Sequence, residues 1–347
     1  MEGNLAAFTG WFDRLPYAHG KPHNSGVVKA SPEDFQVFEQ LAFEPEGEGE
    51  HVYLKLQKRE LNTEEVVRKL AKIAGVRSSD IGYAGLKDRF SVSQQWFSVH
   101  LPGGSEPDWK EIQSDRILLL EQTRHARKLR IGALTGNRFK LCLRQVEGGA
   151  DLLEDRLQCI LHEGVPNYYG EQRFGYQSEN LVKAVELFTG IKSLRKGPLR
   201  SIVISAARSF LFNKILSERI LNKTWNQAIH GDVMMLDGSS SFFMPDTLDE
   251  QLTSRLRKLD IHPTGALWGR GEMPVTKTCR YLEINALMQY PLFLEGLENQ
   301  GLKQDRRALR LKVGELSWRF QDATTLQMEC TLPPGSYATM VLRELVS

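Results

Sequence analysis

The sequence predicts an α+β chain in which a largely helical domain interrupts a sheet-based one. Strand-like patterns occupy both ends, helix-like patterns dominate the middle, and the texture changes abruptly after Pro166. With 347 residues, 41% hydrophobic and 25% charged, the chain fits two domains of moderate size, each able to bury a core without staples.

Taken in order, Glu33-Asp34 leads into a short strand at Phe35–Glu39, and Val52–Leu56 reads as a second strand. A well-marked helix follows. Asn62 or Thr63 caps it, Glu64 and Glu65 occupy the first turn where the dipole favours them, and Val66, Val67, Leu70, Ile73 and Ala74 form one apolar stripe before Gly75 stops it. Ile81–Gly85 is a strand running into a turn at Leu86-Lys87-Asp88-Arg89, and Gln95–His100 continues as a strand. Further strands read at Ile117–Leu120 and Arg138–Leu143. Asp151–Glu163 is a helix ended by Gly164 and Pro166.

The segment Asn167–Gly175 is aromatic, glycine-rich and irregular. Beyond it, Ser205–Leu221 is a helix with Phe212, Leu216 and Ile220 in register. Thr247–Leu259 is another, opened by a capping box from Thr247 to Glu250. Strand patterns return at Ala308–Val313 and Leu316–Phe320, before Pro333-Pro334-Gly335-Ser336-Tyr337 and a closing segment Ala338–Val346.

Composition excludes several classes. Cys142, Cys159, Cys279 and Cys330 form no CxxC pair, which argues against a zinc site or a disulfide framework and fits a reducing cytoplasm. Met1–Arg14 carries Glu2 and has no long apolar core, so a signal peptide is not expected. No apolar run reaches the roughly eighteen residues of a membrane span. Net charge is only +2, but its distribution is uneven. Between Gln122 and Val146 there are seven basic residues (Arg124, Arg127, Lys128, Arg130, Arg138, Lys140, Arg144) and no acid. Smaller clusters recur at Lys192–Arg200 and Lys303–Lys312, while acids gather at Glu44, Glu46, Glu48 and Glu50. Such separation can give a nearly neutral protein one basic face; solvated strand and helix faces are the ordinary alternative.

The eight histidines have no ligand spacing, and no Walker loop, dinucleotide-binding glycine motif or nucleophile elbow is present. What remains is a carboxylate, Asp88, on a turn between two strands with Lys87 and Arg89 beside it. Neighbouring cations favour the carboxylate over the carboxylic acid. Such a group can act as nucleophile or base, or it can simply be a solvated turn residue.

Five motifs in order change the reading. They are Ser31–Glu39, Gly82–Arg89, Gly136-Asn137-Arg138-Phe139, Asn167–Gly175 and Pro334–Thr339. With them the chain resembles the tRNA pseudouridine synthase D (TruD) family. The resemblance implies a pseudouridine-synthase catalytic domain, a mixed, largely antiparallel sheet flanked by helices, over residues 1–162 and 306–347. A largely helical insertion, the TRUD domain, would span residues 163–305. Asp88 would be the catalytic aspartate, Phe35, Asn137 and Tyr337 would contact the target nucleotide, and the substrate would be uridine-13 of tRNA. The family pattern also implies a cytoplasmic monomer. Two departures are small: Tyr337 stands where relatives often carry Phe, adding a hydroxyl that needs a partner, and Ser91 and Ser93 stand where they often carry Ala and Thr.

The implied reaction detaches uracil at N1 and rejoins it through C5. No electrons leave and no group is donated, so no cofactor is expected. A fixed carboxylate can stabilise the electron-poor sugar carbon, attack it, or remove a proton from the adjacent 2′ carbon. Lys29 is the candidate partner to orient Asp88 and Lys87 the alternative; either can instead bind phosphate or face water. Flipping the base costs a few kcal/mol, and an aromatic platform returns roughly 1–3 kcal/mol per base. Phe35, Phe139 and Tyr337 are candidates, with core packing the alternative for each. Asn137 can donate and accept at a uracil edge or a ribose hydroxyl, or be an ordinary Gly-Asn turn residue. The basic stretches would follow the tRNA backbone. Two other readings remain: a metal-free nucleoside hydrolase using the same carboxylate, and an RNA-binding or tRNA-folding protein without chemistry.

Overall fold

In the computed structural model, which describes residues 8–103 and 106–347, the chain divides into two compact units. One comprises Asn24–Ala150 and Gly314–Gly335; the other comprises the N-terminal segment through His23, Asp151–Val313 and Ser336–Ser347. The boundaries expected at 162/163 and 305/306 differ from these: the N-terminal segment and the helix before Pro166 belong with the helical unit. Trp11 shows why, since its indole NH donates to Ser178 Oγ at 2.9 Å and its ring packs edge-on against Phe174 and Phe210. The N-terminal stretch expected to lack a signal peptide begins in residues 1–7, outside the described residues.

In chain order the strands are β1 (Ser25–Val28), β2 (Phe35–Leu41), β3 (His51–Arg59), β4 (Ile81–Tyr83), β5 (Val92–His100), β6 (Ile117–His125), β7 (Leu134–Glu147), β8 (Val165–Pro166), β9 (Met234–Leu236), β10 (Phe242–Phe243), β11 (Ile261–Leu267), β12 (Asp305–Ala308), β13 (Arg310–Leu311), β14 (Gly314–Asp322) and β15 (Thr325–Leu332). The helices are α1 (Thr63–Ala74), α2 (Ala150–Glu163), α3 (Glu179–Phe188), α4 (Pro198–Leu221), α5 (Glu250–Arg257), α6 (Lys277–Leu287), α7 (Pro291–Asn299) and α8 (Ala338–Arg343).

The first unit is a nine-stranded sheet in the order β14-β15-β7-β2-β5-β3-β6, with β1 on β7 and β4 on β5. Only the β2–β5 pairing is parallel, so the expected mixed, largely antiparallel sheet is what forms. Alternation sets its core. Val52, Leu54 and Leu56 of β3 point to one face, where Val66 and Leu70 of α1 cover them, while Tyr53 points to the other beside Trp96. Helix α1 is capped as its sequence demands: Asn62 and Glu65 form a reciprocal capping box, and Gly75 ends it in the left-handed region at φ 65°.

The helical unit is built around α4, which buries Val203, Phe210, Phe212, Ile215 and Leu216. Pro198 at its first turn starts it seven residues before the expected Ser205. A four-stranded sheet, β10-β9-β11-β12, also belongs to this unit. The helix expected at Thr247–Leu259 is the shorter α5. Its cap is Asp249, whose carboxylate accepts from Leu252 N at 2.8 Å, while the Thr247 hydroxyl donates to Asp249 instead of capping. The strand expected at Ala308–Val313 is split into β12 and β13 around Leu309, whose NH bonds Pro263 O at 2.8 Å. Among the described residues no helix is long and apolar enough to cross a membrane.

Candidate active site

Asp88 lies on the segment joining β4 to β5, a loop of residues 84–91 rather than a tight turn. Side chains from the sheet, from α1 and from the loop's own Ser91 hold three of its backbone groups. Gln95 Nε2 donates to Gly85 O at 2.6 Å, and the Gln95 amide oxygen accepts from Thr63 Oγ1 at 3.0 Å. Thr63 Oγ1 in turn accepts from Lys87 N at 3.1 Å. The Asp88 carbonyl accepts from Ser91 Oγ at 2.8 Å and Lys58 Nζ at 3.3 Å. Leu86 and Phe90 point outward on either side, 67% and 42% exposed. The loop backbone is therefore determined by buried groups, and the Asp88 carboxylate, 34% exposed, is presented from a fixed base.

The carboxylate accepts from Lys29 Nζ at 3.0 Å. Lys29 follows β1 in the left-handed region, φ 59°, an unusual conformation for a residue with a side chain. From there its ammonium lies 3.9 Å from the Phe35 ring centroid, so one cation touches both the carboxylate and an aromatic face. Lys87, the alternative partner, turns inward to Glu39; both side chains are buried, 5% and 0% exposed. Glu39 also accepts from Trp96 N at 3.0 Å. This pair braces β2 against the Asp88 loop.

The β2–β7 register pairs Phe35 with Leu141, Val37 with Phe139 and Glu39 with Asn137, which puts these six side chains on one face. Phe35 and Phe139 are buried, 3% and 7% exposed, and meet edge to face at 5.9 Å. Both rings pack in the core in this state. Asn137 is not in a Gly-Asn turn; it lies within β7, paired with Leu332 on its other side. Gly136 is needed there because a Cβ would sit 2.5 Å from the Leu332 carbonyl oxygen. The buried Asn137 Oδ1 has no hydrogen-bond partner, an arrangement that costs stability unless something else fills it.

Tyr337 belongs to the helical unit, at the start of α8. Its hydroxyl finds a partner: Arg173 Nε donates to it at 3.1 Å, and Arg173 Nη1 reaches Ser205 Oγ at 3.2 Å. The basic stretch is less free than its composition implied. Arg124 is held by Glu106, Arg144 by Asp34, and Arg138 and Lys140 by Glu329. Arg127 and Arg130 are exposed.

Lys58 and Glu39 were missed as site residues, and both had a readable signal. Lys58 shares the inward face of Val52, Leu54 and Leu56, and it is fully buried. It donates to Leu61 O at 2.6 Å as well as to Asp88 O, and burial pushes its ammonium down to about 8. Glu39 likewise continues the inward series Phe35, Val37. A charge at an inward strand position is a request for a buried partner.

A family model described as tRNA pseudouridine synthase D (TruD) matches residues 12–190 and 180–345. The chain belongs to the TruD family. Relatives within it are close. A tRNA pseudouridine synthase D of Methylococcus capsulatus is 48% identical over 335 residues, covering 96% of this chain and 95% of its own. That of Nitrosococcus oceani is 49% identical over 334 residues, covering 96% and 93%. A solved structure from Methanosarcina mazei bearing the TruD description superposes with a TM-score of 0.76 over 100% of this chain and 98% of its own at 22% identity, which shows a shared fold.

Proposed function

We propose that this TruD-family chain is a tRNA pseudouridine synthase that isomerises uridine-13 of tRNA, with Asp88 as the essential carboxylate and the sheet unit as the catalytic domain. The observation that carries this reading is the Lys29–Asp88 pair over Phe35. A half-exposed carboxylate is held in one place by a cation that is itself held on an aromatic face. The relatives' shared description, tRNA pseudouridine synthase D, supports the substrate class. Position 13 rests on the resemblance of the five motifs.

The chemistry asks little else. The N1–C1′ bond breaks, the C5–C1′ bond forms, and the proton on C5 is lost as N1 gains one, so mass is unchanged. Asp88 acts at the sugar, either by attack on C1′ or by removing a 2′ proton, and Lys29 keeps the carboxylate aimed. Asn137 Oδ1, unpartnered in its strand, accepts from the uracil imide or a ribose hydroxyl. Phe35 supplies an apolar contact for the flipped base. Phe139 supports Phe35, Lys87 braces the loop through Glu39, and Tyr337 is assigned to base contact on its motif match alone.

Asp88→Asn tests the proposal. It nearly preserves shape and removes the charge, so pseudouridine formation in tRNA is expected to vanish while tRNA binding persists. Modification that survives in this variant rejects the assignment of Asp88. Release of free uracil by the wild-type chain, in place of an isobaric product with altered retention, rejects the isomerase in favour of a hydrolase. A carbon-bound deuterium at C2′ then separates the two routes, because only proton removal gives a primary isotope effect.

A further inference from the structure

The helical unit holds part of the aromatic, glycine-rich segment after Pro166 in one conformation. Asn213 of α4, fully buried, accepts from Tyr169 N at 2.9 Å and donates to Tyr169 O at 3.0 Å, which fixes the tyrosine's backbone. Gly170 comes next. A Cβ there would sit 2.8 Å from Cδ1 of Tyr337, so glycine is what lets that ring lie against the segment. Tyr169 and Tyr337 meet edge to face, 6.2 Å between centroids, and both are partly exposed.

Two guanidiniums share the Tyr169 ring. Arg307 of β12 lies 4.2 Å from its centroid and Arg173 lies 5.4 Å from it. Arg173 is the informative one. It is partly exposed, its Nε donates to the Tyr337 hydroxyl at 3.1 Å, and its Nη1 donates to Ser205 Oγ at 3.2 Å. Both partners are neutral hydroxyls. These bonds leave both hydrogens of Nη2 and one of Nη1 for a ligand. Among the described residues no carboxylate pairs with Arg173. Glu171, in the same short turn, is exposed and makes no ion pair with it, and the Asp305 carboxylate accepts from Arg306 N. Two like charges gathered on one ring repel each other, and an anion beside them relieves that repulsion.

The ligand follows from what is left over. The Tyr169 ring already carries guanidiniums, so the cluster offers charge and planar N–H donors more than a surface for stacking. Free N–H groups on one planar guanidinium suit phosphate oxygens. Arg173 stands on a short turn, Glu171–Arg173, where a continuous polymer can pass it. We propose that Arg173, aimed by the hydroxyls of Tyr337 and Ser205, binds a backbone phosphate of the tRNA substrate, with Arg307 adding to the attraction. The Tyr337 hydroxyl is then a positioning group for Arg173, separate from whatever its ring touches. The substrate class is taken from the function proposed above, and the contact does not depend on the role given to Asp88.

Filter binding of an unmodified tRNA transcript to the full chain, repeated over a range of salt, tests this. Arg173→Gln is expected to weaken binding about tenfold and to reduce the salt slope by about 1, the mark of one lost phosphate contact. In steady-state kinetics the loss should fall on KM and not on kcat. Arg173→Lys keeps the charge and should restore the wild-type slope, with affinity only partly recovered because the ammonium lacks the planar fork. Tyr337→Phe keeps the ring and should weaken binding about threefold, because the guanidinium is no longer held in place. Unchanged affinity and slope in Arg173→Gln overturn the proposal, as does a slope lowered equally in Arg173→Lys. Wild-type affinity in Tyr337→Phe overturns the role of the hydroxyl, and this variant, which loses a single oxygen, decides the matter even if Arg173→Gln fails to fold. A wild-type chain that binds no tRNA removes the tRNA reading and this contact with it. If the wild type binds and modifies tRNA and Arg173→Gln matches it, only the Arg173 contact falls.

Discussion

Lys29 donates to the Asp88 carboxylate at 3.0 Å while its ammonium rests 3.9 Å from the centroid of the Phe35 ring. The pair is partly exposed, 22% and 34%, so its direct contribution to stability is small, under about 1 kcal/mol. Its value lies in aim. Lys29→Met is expected to keep the fold and tRNA affinity while lowering kcat about a hundredfold, the scale of a misplaced catalytic group. Lys29→Gly should be as slow yet at least as stable as Lys29→Met, because glycine suits the backbone φ of 59°. Single-turnover rates alongside thermal melts check both. Wild-type rates in both variants would show that the pair is incidental.

Lys58 acts on the same loop from beneath. Replacing it with Met removes the donor to Leu61 O and one of two donors to the Asp88 carbonyl. A fall in kcat of about tenfold or more with KM little changed is expected, because the loop loosens without losing a substrate contact. The buried ammonium has a second signature. It titrates at about 8 in the folded chain against an ordinary value of 10.5. Between those values the unfolded chain binds more protons, so folding stability should rise with pH across this window. Urea titrations from neutral pH to above 10.5 should show that rise in the wild-type protein and a flatter curve in Lys58→Met.

The Glu39–Lys87 pair is buried on both sides, and the sign of each substitution follows from what it leaves behind. Lys87→Met strands a carboxylate in the core and Glu39→Gln strands an ammonium. Each should cost roughly 3–5 kcal/mol. The double variant Glu39→Gln/Lys87→Met should lose less than the sum of the singles, because it leaves no uncompensated charge. A double-mutant cycle by chemical denaturation measures this, and additive losses would mean the two side chains do not depend on each other.

Local signals explain which parts were legible in the sequence. Helix α1 was readable because its capping box and Gly75 stop are contained within the helix and its immediate neighbours. Strand β11 was not: Pro263 and Gly265 break any strand pattern, and the segment is held by β9 on one side and β12 on the other, buried nearly throughout. At the candidate site, the motif singled out Asp88, but nothing local distinguished Lys29 from Lys87 as the lysine that pairs with it. That choice is made by Glu39, 48 positions before Lys87, which draws the lysine inward. The compact units differ from the expected bounds for the same reason, because Trp11 finds Ser178 across 167 positions.

Asn137 carries a polar cost within the sheet. Its Oδ1 is buried without a partner, and a buried unsatisfied acceptor costs about 1–3 kcal/mol. Asn137→Leu removes that polar atom at nearly the same volume and keeps the β7 pairings to Glu39 and Leu332, which are made by the backbone. The variant is therefore expected to melt at the same temperature as wild type or higher, while kcat/KM for tRNA falls about tenfold or more, the loss of one hydrogen bond to a neutral substrate group. Asn137→Asp separates the two roles of the amide: it keeps an acceptor but cannot donate, and it brings a charge next to Glu39. A lower melting temperature together with lost activity in Asn137→Leu would mean that the side chain is structural. Raised stability with lost activity means that the unpaired oxygen is reserved for the substrate, since a group kept only for the fold would not be left without its bond.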